Sequence, residues 1–399
     1  MKLTKVDKTT QRLYFIDAIR AWAILMMLQG HFVDGLLDTT FRDNSSFTFN
    51  VWKYFRGITA PVFFTVSGFI FTYLLVRGKK TGLKNPRIKK GVKRGLELLF
   101  IGYLLRMNLS GLLNGEIYAS FYLVDVLHCI GLSLLGIIAI YLLTNKRQKF
   151  LFPTVLASSM VLLFLFEPLY KSWAFAFLPD AFANYFTKNN GSVFTIIPWF
   201  GYAAFGGFLS IIFTKFKNFR YVYPVAITLA FAVGLVLIFF SSDFFLAVSS
   251  LTGIQLFSDI FFNNYLFIRL GDVLVVFAVF MLLRSLMKNG TVLKIGQSTL
   301  SIYVVHFIIL YGSFTGLGLY RFFHQALNPL TAILGALSFM VVCTYLALRY
   351  EVFKPVIKSG LSSATNFAWS KFEFLGLNLI SFLKNNLSRL LRKFGLAKN

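Results

Sequence analysis

Residues 13–37 of the chain read LYFIDAIRAWAILMMLQGHFVDGLL. A helix needs about 20 mostly apolar residues to cross a bilayer, and this stretch exceeds that length. Asp17 and Arg20 lie near its start and no small-residue cleavage site follows it, which excludes a cleavable signal peptide. The stretch is therefore predicted to be a transmembrane helix, and the rest of the fold is expected to follow from it.

The composition of the whole chain matches that first stretch. Of its 399 residues, 57% are apolar and 14% are charged, whereas about 25% of the residues in a soluble domain are charged. This excludes a disordered chain, a disulfide scaffold and an ordinary soluble enzyme. Ten segments have the length and apolarity of a bilayer span, so we predict an all-α, polytopic integral membrane protein with about ten transmembrane helices. The segments are 13–37, 56–76, 95–113, 119–143, 150–167, 193–214, 221–241, 264–286, 296–313 and 328–349.

The basic residues divide the loops between the two sides of the membrane. Lys and Arg number 40 against 15 Asp and Glu, which gives a net charge of +25. On a soluble protein this excess would indicate nucleic-acid binding, but on an apolar chain it indicates loops on the cytoplasmic side. Of the 40 basic residues, 31 lie at the termini or on alternate loops, and nine of these are in the loop 77–94. The pattern predicts that both termini are cytoplasmic.

The C-terminal residues 350–399 differ from the spans. From Phe372 onward, apolar residues recur at helical spacing, and Lys384 and Arg389 are among the basic residues outside that stripe. This pattern is typical of an amphipathic helix on an anionic inner leaflet, and a helix docked on the protein's own cytoplasmic face fits it equally well. We predict a ten-helix transmembrane domain over 1–349 and a cytoplasmic basic amphipathic tail over 350–399.

Ionisable side chains inside the spans are candidates for function, because each one costs several kcal/mol in a membrane. Arg20 and His31 are eleven residues apart, which is about three helical turns and about 16 Å along the axis. Both therefore face one direction, which suits a substrate with an anionic head at Arg20 and a reactive end at His31. An ion pair with Asp17 is the alternative role for Arg20. The ionisable set is Asp17, Arg20, His31, Glu97, Arg106, Asp125, His128, Arg269, Asp272 and His306.

Several of these residues also have purely structural explanations. Asp125 and His128, at positions i and i+3, can satisfy each other. Arg269 and Asp272 have the same spacing, and we interpret them as a structural pair. His306 is either functional or packs against a neighbouring helix.

Other functions and roles stay open at this point. Trp199, near the outer end of the sixth span, is either an interfacial anchor or an aromatic platform for sugar hydroxyls. Ten helices with buried charges also fit a transporter or flippase for a lipid or sugar, although the sequence has neither the inverted repeats nor the paired broken helices of many transporters. A non-catalytic membrane assembly protein is a third hypothesis.

Five segments of the chain together resemble the transmembrane acyltransferase superfamily, which includes the acyltransferase-3 proteins and the heparan-α-glucosaminide N-acetyltransferase-like proteins. They extend from the first to the ninth span in the family's order. Two departures are that Ala21 stands where the superfamily usually has Gly, and that the loop 38–55 contains no His, so the catalytic role falls on His31 or on another residue. The segments are RLYFIDAIR at 12–20 followed by His31, TAP at 59–61 through SGF at 67–69, VDVLHCIG at 124–131, PWFGY at 198–202 and IGQSTLSIYVVH at 295–306.

The resemblance implies a transmembrane acyltransferase, which moves an acetyl or other acyl group from cytoplasmic acyl-CoA to a sugar hydroxyl or amine of an extracytoplasmic glycan. An imidazole suits this reaction because it titrates near neutrality. Whether His31 is a base or an acylated nucleophile stays open. The implied catalytic residues are His31, Asp125, His128 and His306, and the implied acyl-CoA-binding residues are Arg20, Arg106, Ser67 and Trp199.

We expect acyl-CoA as the donor substrate, with no permanently bound cofactor and no metal. The expected partners are an extracytoplasmic carbohydrate acceptor and membrane lipids, with no nucleic acid, and homo-oligomerisation is open. Short loops and a compact size favour the cytoplasmic (inner) membrane of a bacterium.

Overall fold

The computed structural model describes residues 12–78, 80–144 and 150–393. Within these ranges the chain forms helices joined by turns and contains no β-strand. The α-helices, in chain order, are α1 (Tyr14–Leu36), α2 (Phe47–Val76), α3 (Pro86–Arg106), α4 (Leu109–Leu113), α5 (Val126–Thr144), α6 (Leu151–Leu165), α7 (Glu167–Tyr170), α8 (Asp180–Ala183), α9 (Ile196–Phe216), α10 (Val222–Thr252), α11 (Gln255–Phe262), α12 (Tyr265–Leu282), α13 (Gly290–Gln297), α14 (Thr299–Tyr311), α15 (Leu319–Phe323) and α16 (Pro329–Lys393).

This architecture confirms the predicted all-α class. Each of the ten predicted spans overlaps a described helix: α1, α2, α3, α5, α6, α9, α10, α12, the α13–α14 pair and the first half of α16. Among the described residues, six helices are long and apolar enough to cross a membrane, and α13–α14 is a seventh if it is one span. The chain is therefore an integral membrane protein. The count of ten and the cytoplasmic termini stay predictions, and the basic residues within 1–11, 145–149 and 394–399 lie outside the described ranges.

Helix α1 is charged and lies inside the bundle. It carries Asp17, Arg20 and Asp34, and it packs against α2, α12, α13, α14 and α16. Its ionisable side chains are therefore surrounded by neighbouring helices. In membrane proteins such side chains usually face the interior of the helix bundle. The same packing places the candidate residues of α1 at the centre of the fold.

Helices α2 and α9 approach until their backbones touch. A Cβ on Gly68 would overlap the carbonyl oxygen of Ala203, and a Cβ on Gly206 would overlap that of Thr65. Small residues permit such close approach in membranes, where van der Waals contact holds helices together. The contact fixes α9, which carries Trp199, against α2.

Helices α13 and α14 are the two parts of a broken helix with a bend of 69°. Ser298 lies at the break, and serine favours helix ends because its hydroxyl competes for backbone hydrogen bonds. On the α13 side, a Cβ on Gly296 would overlap the carbonyl oxygen of Asp17, so α13 is pressed against α1. The predicted span over 296–313 is therefore not one straight helix: residues 296 and 297 belong to α13, and α14 begins after the bend, at Thr299.

Helix α16 continues from the last predicted span into the predicted tail without a break between the two. In the tail, Glu373 lies 3.3 Å from Lys89 of α3, and Gly376 is in contact range of Leu96. This part of the tail docks on the protein itself, as one of the two alternatives predicted. The tail also exposes apolar side chains, which leaves a face for lipid, and the division into two domains stays a prediction. The exposed apolar residues are Phe374, Leu375, Leu379 and Phe382.

Candidate functional site

Arg20 and His31 contact the same neighbouring helix, α14, at its two ends. Nη2 of Arg20 donates to Oγ1 of Thr299 at 3.0 Å, and Nδ1 of His31 lies 2.9 Å from the hydroxyl of Tyr311. Because Thr299 begins α14 and Tyr311 ends it, α1 and α14 run in the same direction over this length. The two side chains therefore share one face of α1, as their spacing predicts.

Asp17, the predicted alternative partner of Arg20, is shared between two cations. Nη1 of Arg20 lies 3.7 Å from Oδ1 of Asp17, whereas Nε of Arg12 donates to Oδ2 of Asp17 at 2.8 Å. The ion pair therefore exists, but it is the longer of the two contacts. The side chain of Arg20 is partly exposed, so its guanidinium keeps surface for another anion.

His31 lies in a group of aromatic side chains from α14. Its ring meets that of His306 edge to face at a centroid distance of 5.3 Å. Nδ1 of His306 donates to the carbonyl oxygen of Tyr303, which leaves Nε2 as an acceptor. This Nε2 is buried and has no hydrogen-bond partner among the described residues. The structure thus brings two of the four predicted catalytic residues together.

Two cavities meet at His31. The larger has a volume of about 850 Å³ and the smaller about 350 Å³. On α1 the smaller cavity is lined by Met26, Met27 and Gly30, which precede His31, whereas the larger is lined by Asp34, which follows it. The smaller cavity therefore lies toward the Arg20 end of α1. Both cavities share His31, Arg56, Val126, Val193, Phe194 and Tyr303.

Asp125 and Arg106 line the larger cavity, and His128 does not. Nε of Arg106 donates to Oδ2 of Asp125 at 2.8 Å, and Nδ1 of His128 accepts only the backbone N–H of Asp125, at 3.1 Å. The side-chain pair between Asp125 and His128, which the sequence leaves open as an alternative, is therefore not formed. Asp125 precedes the first residue of α5, so its carboxylate is not on the helical face that an i, i+3 pair requires. The ring of His128 is buried against Tyr103, at a centroid distance of 4.4 Å.

The other predicted acyl-CoA-binding residues have different surroundings. The hydroxyl of Ser67 donates to the carbonyl of Phe63 at 2.7 Å, and Ser67 lines neither cavity. Trp199 lines the smaller cavity and is buried. Tyr202, one turn further, is also buried and donates to the carbonyl of Leu266 at 3.0 Å. These aromatic side chains lie inside the bundle, which is not the position of an interfacial anchor.

Arg269 and Asp272 form the structural pair that their spacing predicts. Nη1 of Arg269 donates to Oδ2 of Asp272 at 2.9 Å, and the hydroxyl of Tyr54 donates to the other carboxylate oxygen at 2.6 Å. The guanidinium also lies over the ring of Tyr54, 4.5 Å from its centroid. The cluster connects α2 to α12.

Nowhere in the described part of the chain do three or more His, Cys, Asp or Glu side chains group as metal ligands would.

Two residues of the site escaped the sequence analysis. Arg56 lines both cavities and forms an ion pair with Asp34. It lies at the first residue of a predicted span, where a cation carries little cost, so its charge does not mark it as functional in the sequence. Tyr311 holds His31 but is not charged at neutral pH, and its distance of 280 residues along the chain leaves no local signal.

A family model for an acyltransferase domain, that of the acyltransferase-3 family, matches residues 13–349. The match covers most of the chain and includes every residue of the two cavities. It confirms the resemblance that the five sequence segments indicate. No curated protein and no solved structure is significantly similar to the chain.

The ion pair between Arg106 and Asp125 is expected to stabilise the fold. Its side chains are 15% and 12% exposed, and removal of one partner leaves a largely buried charge. A double-mutant cycle with Arg106→Gln and Asp125→Asn should give a coupling free energy of about 1–3 kcal/mol for unfolding in mixed micelles. The matched control is the pair of Arg94 and Glu97, whose side chains are 41% and 39% exposed and whose coupling should stay below about 0.5 kcal/mol. Equal coupling in the two cycles would contradict the assignment.

Proposed function

The chain belongs to the acyltransferase-3 family, and we propose that it moves an acetyl or other acyl group from cytoplasmic acyl-CoA to a hydroxyl or amine of a sugar in an extracytoplasmic glycan. The observation that carries this proposal is the position of His31. Two cavities meet at its ring, and Arg20 lies three turns away on the same face of α1. One imidazole can therefore contact two substrates that arrive from opposite ends of α1.

Arg20 is the group proposed to hold the donor. A guanidinium forms strong, often bidentate, hydrogen bonds with phosphate oxygens, and CoA carries phosphates at the end remote from its thioester. The distribution of basic residues predicts the Arg20 end of α1 on the cytoplasmic side, where acyl-CoA is present. Arg106 was predicted to bind the donor as well, but it lines the larger cavity on the other side of His31. The proposal therefore assigns Arg106 to the acceptor.

His31 is proposed to act as a general base in direct transfer. The acceptor oxygen or nitrogen attacks the thioester carbonyl carbon while His31 removes its proton. A C–O or C–N bond forms, the C–S bond breaks, and the thiolate of CoA leaves and takes up the proton. If Nδ1–H of His31 donates to the oxygen of Tyr311, Nε2 is the free base, so Tyr311 is a positioning residue.

The proposed location follows from the same arrangement. The apolar helices place the protein in a membrane. A donor made in the cytoplasm and a glycan outside it require the cytoplasmic membrane, which is the inner membrane of a bacterium with two. The donor is a substrate that is consumed in each cycle, so the proposal needs no resident cofactor.

His31→Ala should reduce turnover by at least about 100-fold, because a positioned base contributes roughly 10²- to 10⁴-fold. The measurement is free thiol release from acetyl-CoA by purified protein with a panel of sugars. The matched control is His324→Ala, since His324 is exposed and lines neither cavity. Unchanged turnover in His31→Ala would remove His31 from the site. Failure of the wild type both to bind CoA and to release thiol would overturn the enzyme proposal.

Arg20→Ala should raise the KM for acetyl-CoA by roughly 10- to 100-fold, since a hydrogen bond to a charged group contributes about 1.5–3 kcal/mol. The KM for the sugar should stay within about twofold. Arg349→Ala removes an exposed cation from α16 and serves as the control. A larger effect on the sugar than on acetyl-CoA would contradict the proposed direction of α1.

A further inference from the structure

The smaller cavity at His31 has a mostly apolar wall. Met27 of α1 and Ala60 and Phe63 of α2 contribute to it, and its volume is about 350 Å³. Sites for small molecules are commonly of this kind, with an apolar lining and a few polar groups that fix orientation. An acyl chain is the apolar part of the proposed donor, and the cavity lies on the Arg20 side of His31, from which the donor arrives. The polar groups of this cavity then determine how the acyl group is oriented in it.

Thr59 supplies one of those polar groups. Elsewhere on α2, the hydroxyls of Thr65 and Ser67 donate to carbonyl oxygens four residues earlier, at 2.9 and 2.7 Å. Thr59 is 7% exposed and lines the smaller cavity, and its hydroxyl has no partner among the described residues. A buried hydroxyl is normally hydrogen-bonded, so the hydroxyl of Thr59 is available to a ligand in the cavity.

Trp199 supplies a second polar group. It is 6% exposed and lines the same cavity, and the structure as described offers its indole Nε1 no hydrogen-bond partner. An indole N–H can only donate, so it requires an acceptor. The ring packs against Phe64 and Phe194 at centroid distances of 5.2 and 4.8 Å, which holds its orientation. The cavity thus contains these two buried, unused donors and the imidazole of His31, and its lining also includes Arg56 and Lys188.

We infer that the hydroxyl of Thr59 and Nε1–H of Trp199 donate hydrogen bonds to the carbonyl oxygen of the acyl group, while the acyl chain occupies the smaller cavity. This inference rests on the proposed function. When a nucleophile adds to a thioester, the carbonyl oxygen becomes an oxyanion, and fixed donors directed at it stabilise the transition state. The two groups would be catalytic residues for acyl transfer.

The larger cavity then belongs to the acceptor. Apart from the residues that both cavities share, its lining carries the charged side chains of Asp34, Arg106 and Asp125, which suit hydroxyl-rich sugars better than an acyl chain. The acceptor oxygen or nitrogen attacks from this side, its proton passes to His31, and the tetrahedral intermediate collapses as the C–S bond breaks. Thr59 and Trp199 keep their protons throughout. The reaction is balanced when His31 passes the acceptor's proton to the leaving thiolate, which gives the free thiol of CoA and restores the base.

The test uses Thr59→Val, which removes a donor and nearly preserves shape, and Trp199→Phe, which removes the N–H and keeps a smaller aromatic ring. Each should lower kcat by about 10²- to 10³-fold, as removal of an oxyanion donor does. The dissociation constant of free CoA should not change, because free CoA has no acyl carbonyl. Thr59→Ser, which retains the hydroxyl, should keep kcat within about threefold of the wild type. The probe is acetyl-CoA with the sugar that supports thiol release by the wild type.

Thr65→Val and Trp22→Phe are the matched controls. The hydroxyl of Thr65 is already bound within its helix, and Trp22 packs on Phe280 away from the cavity. Full kcat in Thr59→Val and Trp199→Phe would overturn the inference while leaving the enzyme proposal in place. A loss of kcat matched by an equal loss of CoA affinity or of melting temperature would also overturn it, since it would show a structural role. A wild type without thiol release would instead overturn the proposed function.

Discussion

The cost of placing charge in an apolar environment is the constraint on which this structure depends. The charged groups around His31 are paired: Arg56 with Asp34, and Arg106 with Asp125. The first pair links α2 to α1, and the second links the end of α3 to the residue before α5. Arg269, Asp272 and Tyr54 connect α12 to α2 in the same way. These polar contacts connect α1, α2, α3, α12 and the residue before α5 around His31, which projects from α1.

The same constraint distinguishes the residues available for chemistry from those that maintain the fold. A side chain whose hydrogen-bonding capacity is fully used by the protein is a poor candidate for a substrate contact. Ser67 is satisfied by its own helix and Tyr202 by α12. Arg20 is partly exposed, and Thr59 and Trp199 are buried with unused donors beside His31. The proposed site therefore uses groups that the fold leaves with free hydrogen-bonding capacity: Arg20 on α1, Thr59 on α2 and Trp199 on α9.

Much of this arrangement follows from local rules that a sequence reveals. Apolar length predicts the helices, and eleven residues between Arg20 and His31 predict a common face because the helical period is local. Where the structure departs, the cause is a contact or a boundary with no local signal. Asp125 lies just outside α5 and turns to Arg106 instead of His128. Tyr311 reaches His31 across 280 residues, and Arg56 is inconspicuous at the start of a span. The free hydroxyl of Thr59 is recognised only in the structure, where the hydroxyls of Thr65 and Ser67 on the same helix are hydrogen-bonded.

The central claim is that a donor and an acceptor approach His31 from opposite ends of α1 and therefore from opposite sides of a membrane. The most direct measurement uses sealed proteoliposomes, with acetyl-CoA added only outside and the acceptor sugar trapped only inside. The account predicts acetylation of the trapped sugar, by those protein molecules whose Arg20 end faces outward, and predicts that His31→Ala abolishes it. Acetylation only when acetyl-CoA and the sugar are on the same side of the membrane would contradict the account.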